Sequence, residues 1–141
     1  MSKLRPRGID HLAIHVSDLC AARAFYVDLI GCEFIEALPR FNQELLHAGT
    51  TPISLVCRPA EVPDPSYSER PASGLDHFCL LLENNASDLR DRLSEAGLAV
   101  EDEVLNHKDS PPTLSLYIRD PSGNLVELRA PLRHYDGAGQ S

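Results

Sequence analysis

Between residues 114 and 129, apolar and polar residues alternate on both sides of the sequence D-P-S-G-N. A period of two indicates strands with one buried face, and proline followed by glycine is typical of a tight turn. This stretch therefore predicts a β-hairpin. Glu127 lies in the second strand among apolar neighbours, where a carboxylate is unusual. Such a residue is either on a solvated face or paired with a cation in the interior.

The chain before the hairpin repeats one order of strand-like and helix-like patterns. Residues 8–16 and 74–82 alternate in the manner of strands. Apolar residues then recur at helical spacing over about 17–30, and again from about 85 until Gly97 ends the pattern. Shorter alternating runs predict further strands at 32–37, 41–48, 52–58 and 98–105.

Three landmarks recur at one spacing, which indicates an internal repeat. Gly8, His11 and Gly31 return as Gly74, His77 and Gly97, each 66 positions later. Such a repeat is typical of two similar structural units. We therefore predict an α+β fold of two pseudo-symmetric β-α-β-β-β modules within one domain, 1–141. The modules would span about 8–58 and 74–130, with a proline-rich linker at 59–73 and a tail at 131–141.

Composition narrows the class of protein. The net charge of −8 argues against nucleic acid and anionic membranes as partners, since both bind basic surfaces. No apolar run approaches the roughly 20 residues of a membrane helix, and residues 1–8 are not followed by the apolar stretch of a signal peptide. The four cysteines form no C-x-x-C pair, which favours reduced thiols in a cytoplasmic protein. We interpret Cys20, Cys57 and Cys79 as small hydrophobic residues.

Two histidines and one carboxylate share a predicted sheet face. His11 and His77 occupy the same position in the two repeats, opposite the hydrophobic residues of their strands, and Glu127 points away from Val126 and Leu128 in the same sense. If helices cover the apolar face, the modules would bring the three side chains into one concave space. Imidazole and carboxylate are ligands for Fe(II), Mn(II), Ni(II) or Zn(II). A lone strand histidine is more often an ordinary polar residue, but its repetition favours a metal site.

Four motifs resemble the vicinal oxygen chelate superfamily, which includes glyoxalase I, type I extradiol dioxygenases, fosfomycin and bleomycin resistance proteins, and methylmalonyl-CoA epimerase. They are G-I-D-H-L, A-F-Y-x-D-L-I-G-C-E-F, G-L-D-H-F and D-P-S-G-N-L-V-E-L, within about residues 8–130. The resemblance implies His11, His77 and Glu127 as ligands of a divalent metal ion, Fe(II) or Mn(II) first and Zn(II) or Ni(II) as alternatives. It also implies a concave mixed sheet around the metal, and a homodimer.

The motifs differ among members of the superfamily. Glyoxalase I has a fourth ligand on the fourth strand of its first module, where this chain has Ser54. A three-ligand site resembles extradiol dioxygenases and fosfomycin transferases, although Ala13 stands where the latter have threonine. The dioxygenase pattern around the hairpin implies catalytic roles for Tyr117 and His107. His107 lies one residue further upstream than that pattern allows, so an ordinary loop histidine is the alternative, and Tyr117 is alternatively an ordinary strand aromatic.

The resemblance implies an enzyme that chelates two vicinal oxygens of a small substrate and stabilises its anionic form. An extradiol ring-cleaving dioxygenase-like reaction is our first expectation. A glyoxalase-type lyase or isomerase, a fosfomycin-type thiol transferase and a metal-free binding module are the alternatives. Arg129 could pair with an anionic substrate or with a nearby carboxylate.

Overall fold

Each half of the chain forms its own four-stranded sheet. The structure is a computed structural model that describes residues 3–57 and 74–132. The predicted linker, 59–73, and all but the first two residues of the predicted tail, 131–141, lie outside the described residues. The chain divides into two compact units, Met1–Ser68 and Glu69–Ser141.

The first unit has the predicted β-α-β-β-β order. Its elements are β1 (Leu12–His15), α1 (Leu19–Arg23), β2 (Glu33–Leu38), β3 (Gln43–Ala48) and β4 (Thr51–Val56), with a 3₁₀ turn at Pro39–Phe41. The sheet has the strand order β1-β4-β3-β2, in which β1 and β4 are parallel and the other neighbours are antiparallel.

The predicted helix at about 17–30 is present, but only its first part is α-helical. The Asp18 carboxylate caps α1 by accepting a hydrogen bond from the backbone N–H of Ala21, as the sequence pattern of an N-cap predicts. From Ala24–Leu29 the helix widens to π geometry. There the N–H of Ile30 donates to the carbonyl of Phe25, five residues earlier. Apolar spacing alone does not reveal this change, because the same residues remain buried.

The second unit repeats the topology of the first. Its elements are β5 (Phe78–Leu81), α2 (Ala86–Glu95), β6 (Asp102–Asn106), β7 (Thr113–Arg119) and β8 (Leu125–Pro131). The sheet order is β5-β8-β7-β6, again with one parallel pair, β5 and β8. This confirms two β-α-β-β-β modules.

The strand predicted at 98–105 begins later than expected. Leu98 still belongs to the helix terminus, because its N–H donates to the carbonyl of Leu93 at 3.0 Å. Pairing with β7 starts only at Glu101, whose N–H donates to the carbonyl of Tyr117. The predicted hairpin is present as β7 and β8, and the buried Asp120 carboxylate closes its turn by accepting from two backbone N–H groups.

The second sheet has one apolar and one polar face. Leu116, Val126 and Leu128 are almost fully buried on the apolar face. α2 packs against β8 and buries its own Leu89 and Leu93. Alternation along the strands then places the polar side chains of β5, β7 and β8 together on the opposite face.

Candidate functional site

A buried carboxylate is the centre of the polar face of the second sheet. Glu127 is only 3% exposed. Its Oε1 accepts hydrogen bonds from His77 Nε2 at 3.0 Å and from the Tyr117 hydroxyl at 2.7 Å. Its Oε2 accepts from Ser115 Oγ at 2.7 Å, Arg129 Nη2 at 3.1 Å and Cys79 Sγ at 3.3 Å. We call these six residues the Glu127 cluster.

Strand register explains why these side chains meet. Glu127 on β8 lies directly opposite Cys79 on β5 and Tyr117 on β7. Ser115 and Arg129 form the next cross-strand pair on the same face, two residues along. His77 immediately precedes β5 and therefore lies at the end of this row. The sheet thus supplies five donors to one carboxylate.

These donors keep Glu127 ionised. Burial alone would raise its pKa, but hydrogen bonds from Ser115, Tyr117, Cys79 and His77 outweigh burial and lower the pKa to about 2. The pKa values of two neighbours rise. The hydrogen bond to Glu127, aided by burial, raises the pKa of Tyr117 to about 12. Burial, followed by the same carboxylate, raises the pKa of Cys79 to about 12. At neutral pH the cluster therefore holds an ionised Glu127 beside a protonated Tyr117 hydroxyl and a protonated Cys79 thiol.

Each repeat histidine is paired with the aspartate that precedes it. Nδ1 of His77 lies 2.8 Å from Asp76 Oδ2, and Nδ1 of His11 lies 2.8 Å from Asp10 Oδ2. The bond to Asp76 raises the pKa of His77; burial opposes this, and the bond to Glu127 adds to it. A carboxylate on one ring nitrogen fixes the orientation of the ring, which is the usual arrangement behind a metal-ligating histidine. Neither aspartate was predicted as a site residue, although the sequence D-H occurs in both repeats.

His77 and Glu127 fit a divalent metal ion. Two ligand atoms at right angles, each about 2.1 Å from a metal, are about 3 Å apart, and His77 Nε2 lies 3.0 Å from Glu127 Oε1. An ionised carboxylate and an imidazole are also a suitable donor pair. Within residues 3–57 and 74–132, no three His, Cys, Asp or Glu side chains form a ready-made metal-binding group.

The structure brings one of the two predicted catalytic residues, Tyr117 and His107, into the Glu127 cluster. Tyr117 is in the Glu127 cluster. His107 is exposed in the turn after β6 and is not brought into that cluster. In the first unit, Ser54 lies opposite Ala13 across parallel strands, as Glu127 lies opposite Cys79. Ser54 is thus the repeat counterpart of Glu127.

Three members of the cluster were not identified as site residues from the sequence. Cys79 was interpreted as a small hydrophobic residue, but its thiol donates to Glu127. Ser115 was seen only as a polar position of the hairpin, and Arg129 was left with two alternative partners. Arg129 is bonded to Glu127 and Ser115. Strand alternation could have indicated all three residues, because their side chains lie on the same sheet face as Glu127.

Comparison with known families identifies the superfamily. The model of the Glyoxalase/Bleomycin resistance protein/Dioxygenase superfamily matches residues 8–128. The chain belongs to this superfamily. That membership confirms the resemblance drawn from the four motifs, and it agrees with the two β-α-β-β-β units of the fold.

Several relatives align with most of this chain. An ethylmalonyl-CoA/methylmalonyl-CoA epimerase of Cereibacter sphaeroides is 34% identical, over 85% of this chain and 95% of the epimerase. Virulence protein STM3117 of Salmonella typhimurium is 32% identical, over 85% and 81%. The crystal structure of STM3117 has a TM-score of 0.67 at 27% identity, covering 90% of this chain and 98% of that chain. A lactoylglutathione lyase structure from Agrobacterium tumefaciens has a TM-score of 0.63 at 29% identity, covering 89% and 94%.

The described helices are all short. Within residues 3–57 and 74–132, no helix is long and apolar enough to cross a membrane.

Proposed function

We propose that this chain is a divalent-metal-dependent enzyme that binds a small substrate through two neighbouring oxygen atoms. Glu127 and His77 would be two of its metal ligands. One observation carries the proposal: a buried, ionised carboxylate faces the Nε2 atom of a histidine whose other nitrogen is held by Asp76. Superfamily membership adds support, since the family resemblance implies His77 and Glu127 as metal ligands.

His11 is the proposed third protein ligand. Its ring is held by Asp10 in the same way that His77 is held by Asp76, at the same distance of 2.8 Å. The two histidines also occupy equivalent positions in the repeat, one residue before β1 and β5. A paired Asp-His arrangement in both units supports a shared role for the two imidazoles. Fe(II) and Mn(II) are the first candidates, with Zn(II) and Ni(II) as alternatives.

A bound divalent metal would act as a Lewis acid that favours the anionic form of a substrate with vicinal oxygens. Glu127 suits the role of ligand better than that of general base, because a carboxylate with a pKa of about 2 is a weak base at neutral pH. The Tyr117 hydroxyl stays protonated, and in this structure it gives its single hydrogen to Glu127 at 2.7 Å. When a substrate oxygen binds beside Glu127, the hydroxyl would turn to it and donate that hydrogen bond or proton to the substrate instead of to Glu127.

An extradiol ring-cleaving dioxygenase-like reaction is the first candidate. A hydroxyl at Ser54, the repeat counterpart of Glu127, leaves three protein ligands, which suits a reaction needing several open metal positions. Tyr117 would handle the proton of a catechol oxygen. His107 remains a proposed second proton-transfer residue, but no contact within the Glu127 cluster supports it.

An epimerase or lyase of the superfamily is the second candidate. It is favoured by the 34% identity to an ethylmalonyl-CoA/methylmalonyl-CoA epimerase and by the likeness to a lactoylglutathione lyase. Such a reaction moves a proton next to a carbonyl group, and it consumes no dioxygen. A small substrate with neighbouring oxygens is common to both candidates.

Two assays on the same metal-loaded protein separate the candidates. Oxygen uptake with a panel of catechols would support the dioxygenase. Exchange of a substrate proton with deuterated solvent, using 2-hydroxy and 2-oxo acids and acyl thioesters, would support the epimerase or lyase. Tyr117→Phe should reduce either activity while His107→Ala should affect only a dioxygenase. A protein that takes up no metal under any condition would refute the proposal and favour a metal-free binding module.

A further inference from the structure

Arg129 lies between the Glu127 cluster and a cleft of the second unit. Its Nη2 donates to Glu127 at 3.1 Å, and its Nε donates to Ser115 at 3.3 Å. Its Nη1 lies 3.6 Å from Asp109 Oδ2, which is within the range of an ion pair but beyond a hydrogen bond. A guanidinium has five N–H donors. Arg129 therefore retains donors on its Nη1 side.

The cleft has the chemistry of a small-molecule site. Its volume is about 860 Å³, and Leu81, Leu82, Pro111 and Pro131 supply apolar walls. Among its described lining residues, Arg129 carries the single positive charge, and Glu83 and Asp109 carry carboxylates. A mostly apolar concave surface with a few directed polar groups is typical of ligand pockets.

Asp109 occupies the outer side of this guanidinium. It belongs to the turn after β6 and accepts a short hydrogen bond from the Thr113 hydroxyl. Its carboxylate thus approaches Arg129 without making the two-pronged contact that arginine forms with carboxylates. A ligand carboxylate could make that contact from the cleft if the Asp109 side chain turned aside.

We propose that Arg129 binds a carboxylate group of the substrate, in the place that the Asp109 carboxylate occupies in this structure. The substrate class is a small carboxylate with an apolar body that fills the cleft. This inference rests on the proposed function in one respect. It assumes that the substrate's two neighbouring oxygens bind a metal held by Glu127, with the substrate carboxylate next to them. Asp109 would then weaken ligand binding by competing for the same donors.

Calorimetry of the 141-residue chain tests this, with hexanoate and benzoate against their neutral amides. Each titration is done after chelator treatment and again after metal loading. We expect the carboxylates to bind roughly tenfold or more tightly than the amides in both states. Arg129→Gln should abolish this preference, and Arg129→Lys should weaken it. Asp109→Asn should strengthen carboxylate binding several-fold, which distinguishes competition from a merely structural role.

Arg119→Gln is the matched control. Arg119 lies on the neighbouring strand β7 but pairs with Glu101 instead of the cleft, so its loss should leave the preference unchanged. A preference that survives Arg129→Gln, or is absent from the unaltered chain, would overturn the inference, and so would weaker binding by Asp109→Asn. Carboxylate binding that requires metal and is unchanged in Arg129→Gln would overturn the inference but agree with the metal proposal. Carboxylate binding that depends on Arg129 in a chain that takes up no metal would support the inference and refute the metal proposal.

Discussion

Replacing Glu127 by glutamine should destabilise the metal-free protein in a pH-dependent way. The pKa of Glu127 is about 2 in the folded chain, against an ordinary value of 4.5, and a tenfold change in proton affinity corresponds to about 1.4 kcal/mol. The ionised side chain therefore contributes roughly 3 kcal/mol to the free energy of unfolding at neutral pH. Glutamine has the same shape but no charge, so Glu127→Gln removes this contribution.

The sign of the pH dependence follows from the lowered pKa. A carboxyl group that binds protons less tightly when folded stabilises the protein above its unfolded pKa, and the stabilisation is lost as pH falls through the folded pKa. The free energy of unfolding of the unaltered chain should thus exceed that of Glu127→Gln by about 3 kcal/mol at pH 7, and by about half as much at pH 3. This difference should approach zero near pH 2, where protonated Glu127 resembles glutamine.

Urea unfolding followed by far-ultraviolet circular dichroism, in the presence of chelator, measures this difference at each pH. Glu95→Gln is the control, because Glu95 is an exposed residue of α2. Its unfolding free energy should follow that of the unaltered chain. A constant difference between pH 7 and pH 3 for Glu127→Gln, or no difference at pH 7, would show that the cluster does not hold Glu127 ionised.

Further substitutions test the remaining parts of the structure. Asp76→Asn should weaken metal affinity roughly tenfold to a hundredfold in a competition titration, whereas Asp91→Asn on the exposed side of α2 should not. Tyr117→Phe should retain metal, measured by elemental analysis, but lose turnover, because it removes a donor and no ligand. Leu116→Ala should lower the unfolding free energy by about 2–5 kcal/mol in urea, since Leu116 is 1% exposed. Asn85→Ala should lower it by about 1 kcal/mol, because Asn85 caps α2. An effect of Asp91→Asn as large as that of Asp76→Asn, or a negligible effect of either stability variant, would contradict these contacts.

The repeat made the fold predictable from the sequence. His11 and His77 at one spacing identified two similar units, and the hairpin from 114 to 129 fixed the last two strands. Periodicity decides which residues share a face, because burial alternates along a strand and recurs along a helix. It does not decide where hydrogen bonding starts, so the strand predicted at 98–105 began at Asp102.

The candidate site could be predicted only in part. His77 and Glu127 were predicted from the repeat and from strand alternation, and Tyr117 from the family motifs. The structure brings these three together. The contacts of Ser115 and Arg129 depend on the register of the β7–β8 hairpin. Alternation shows which residues share a face, but the turn geometry that sets the register is seen only in the structure. A superfamily fold also hosts different reactions, so membership does not decide between ring cleavage and proton transfer.

We propose that His11, His77 and Glu127 together bind one divalent metal ion. Titration of the chelator-treated chain with Co(II), followed by its visible absorption, tests this ligand set. We predict saturation at one equivalent, loss of the absorption in His11→Ala, His77→Ala and Glu127→Gln, and an unchanged spectrum in His107→Ala. An unchanged spectrum in any of the three ligand variants, or no Co(II) absorption in the unaltered chain, would contradict the claim.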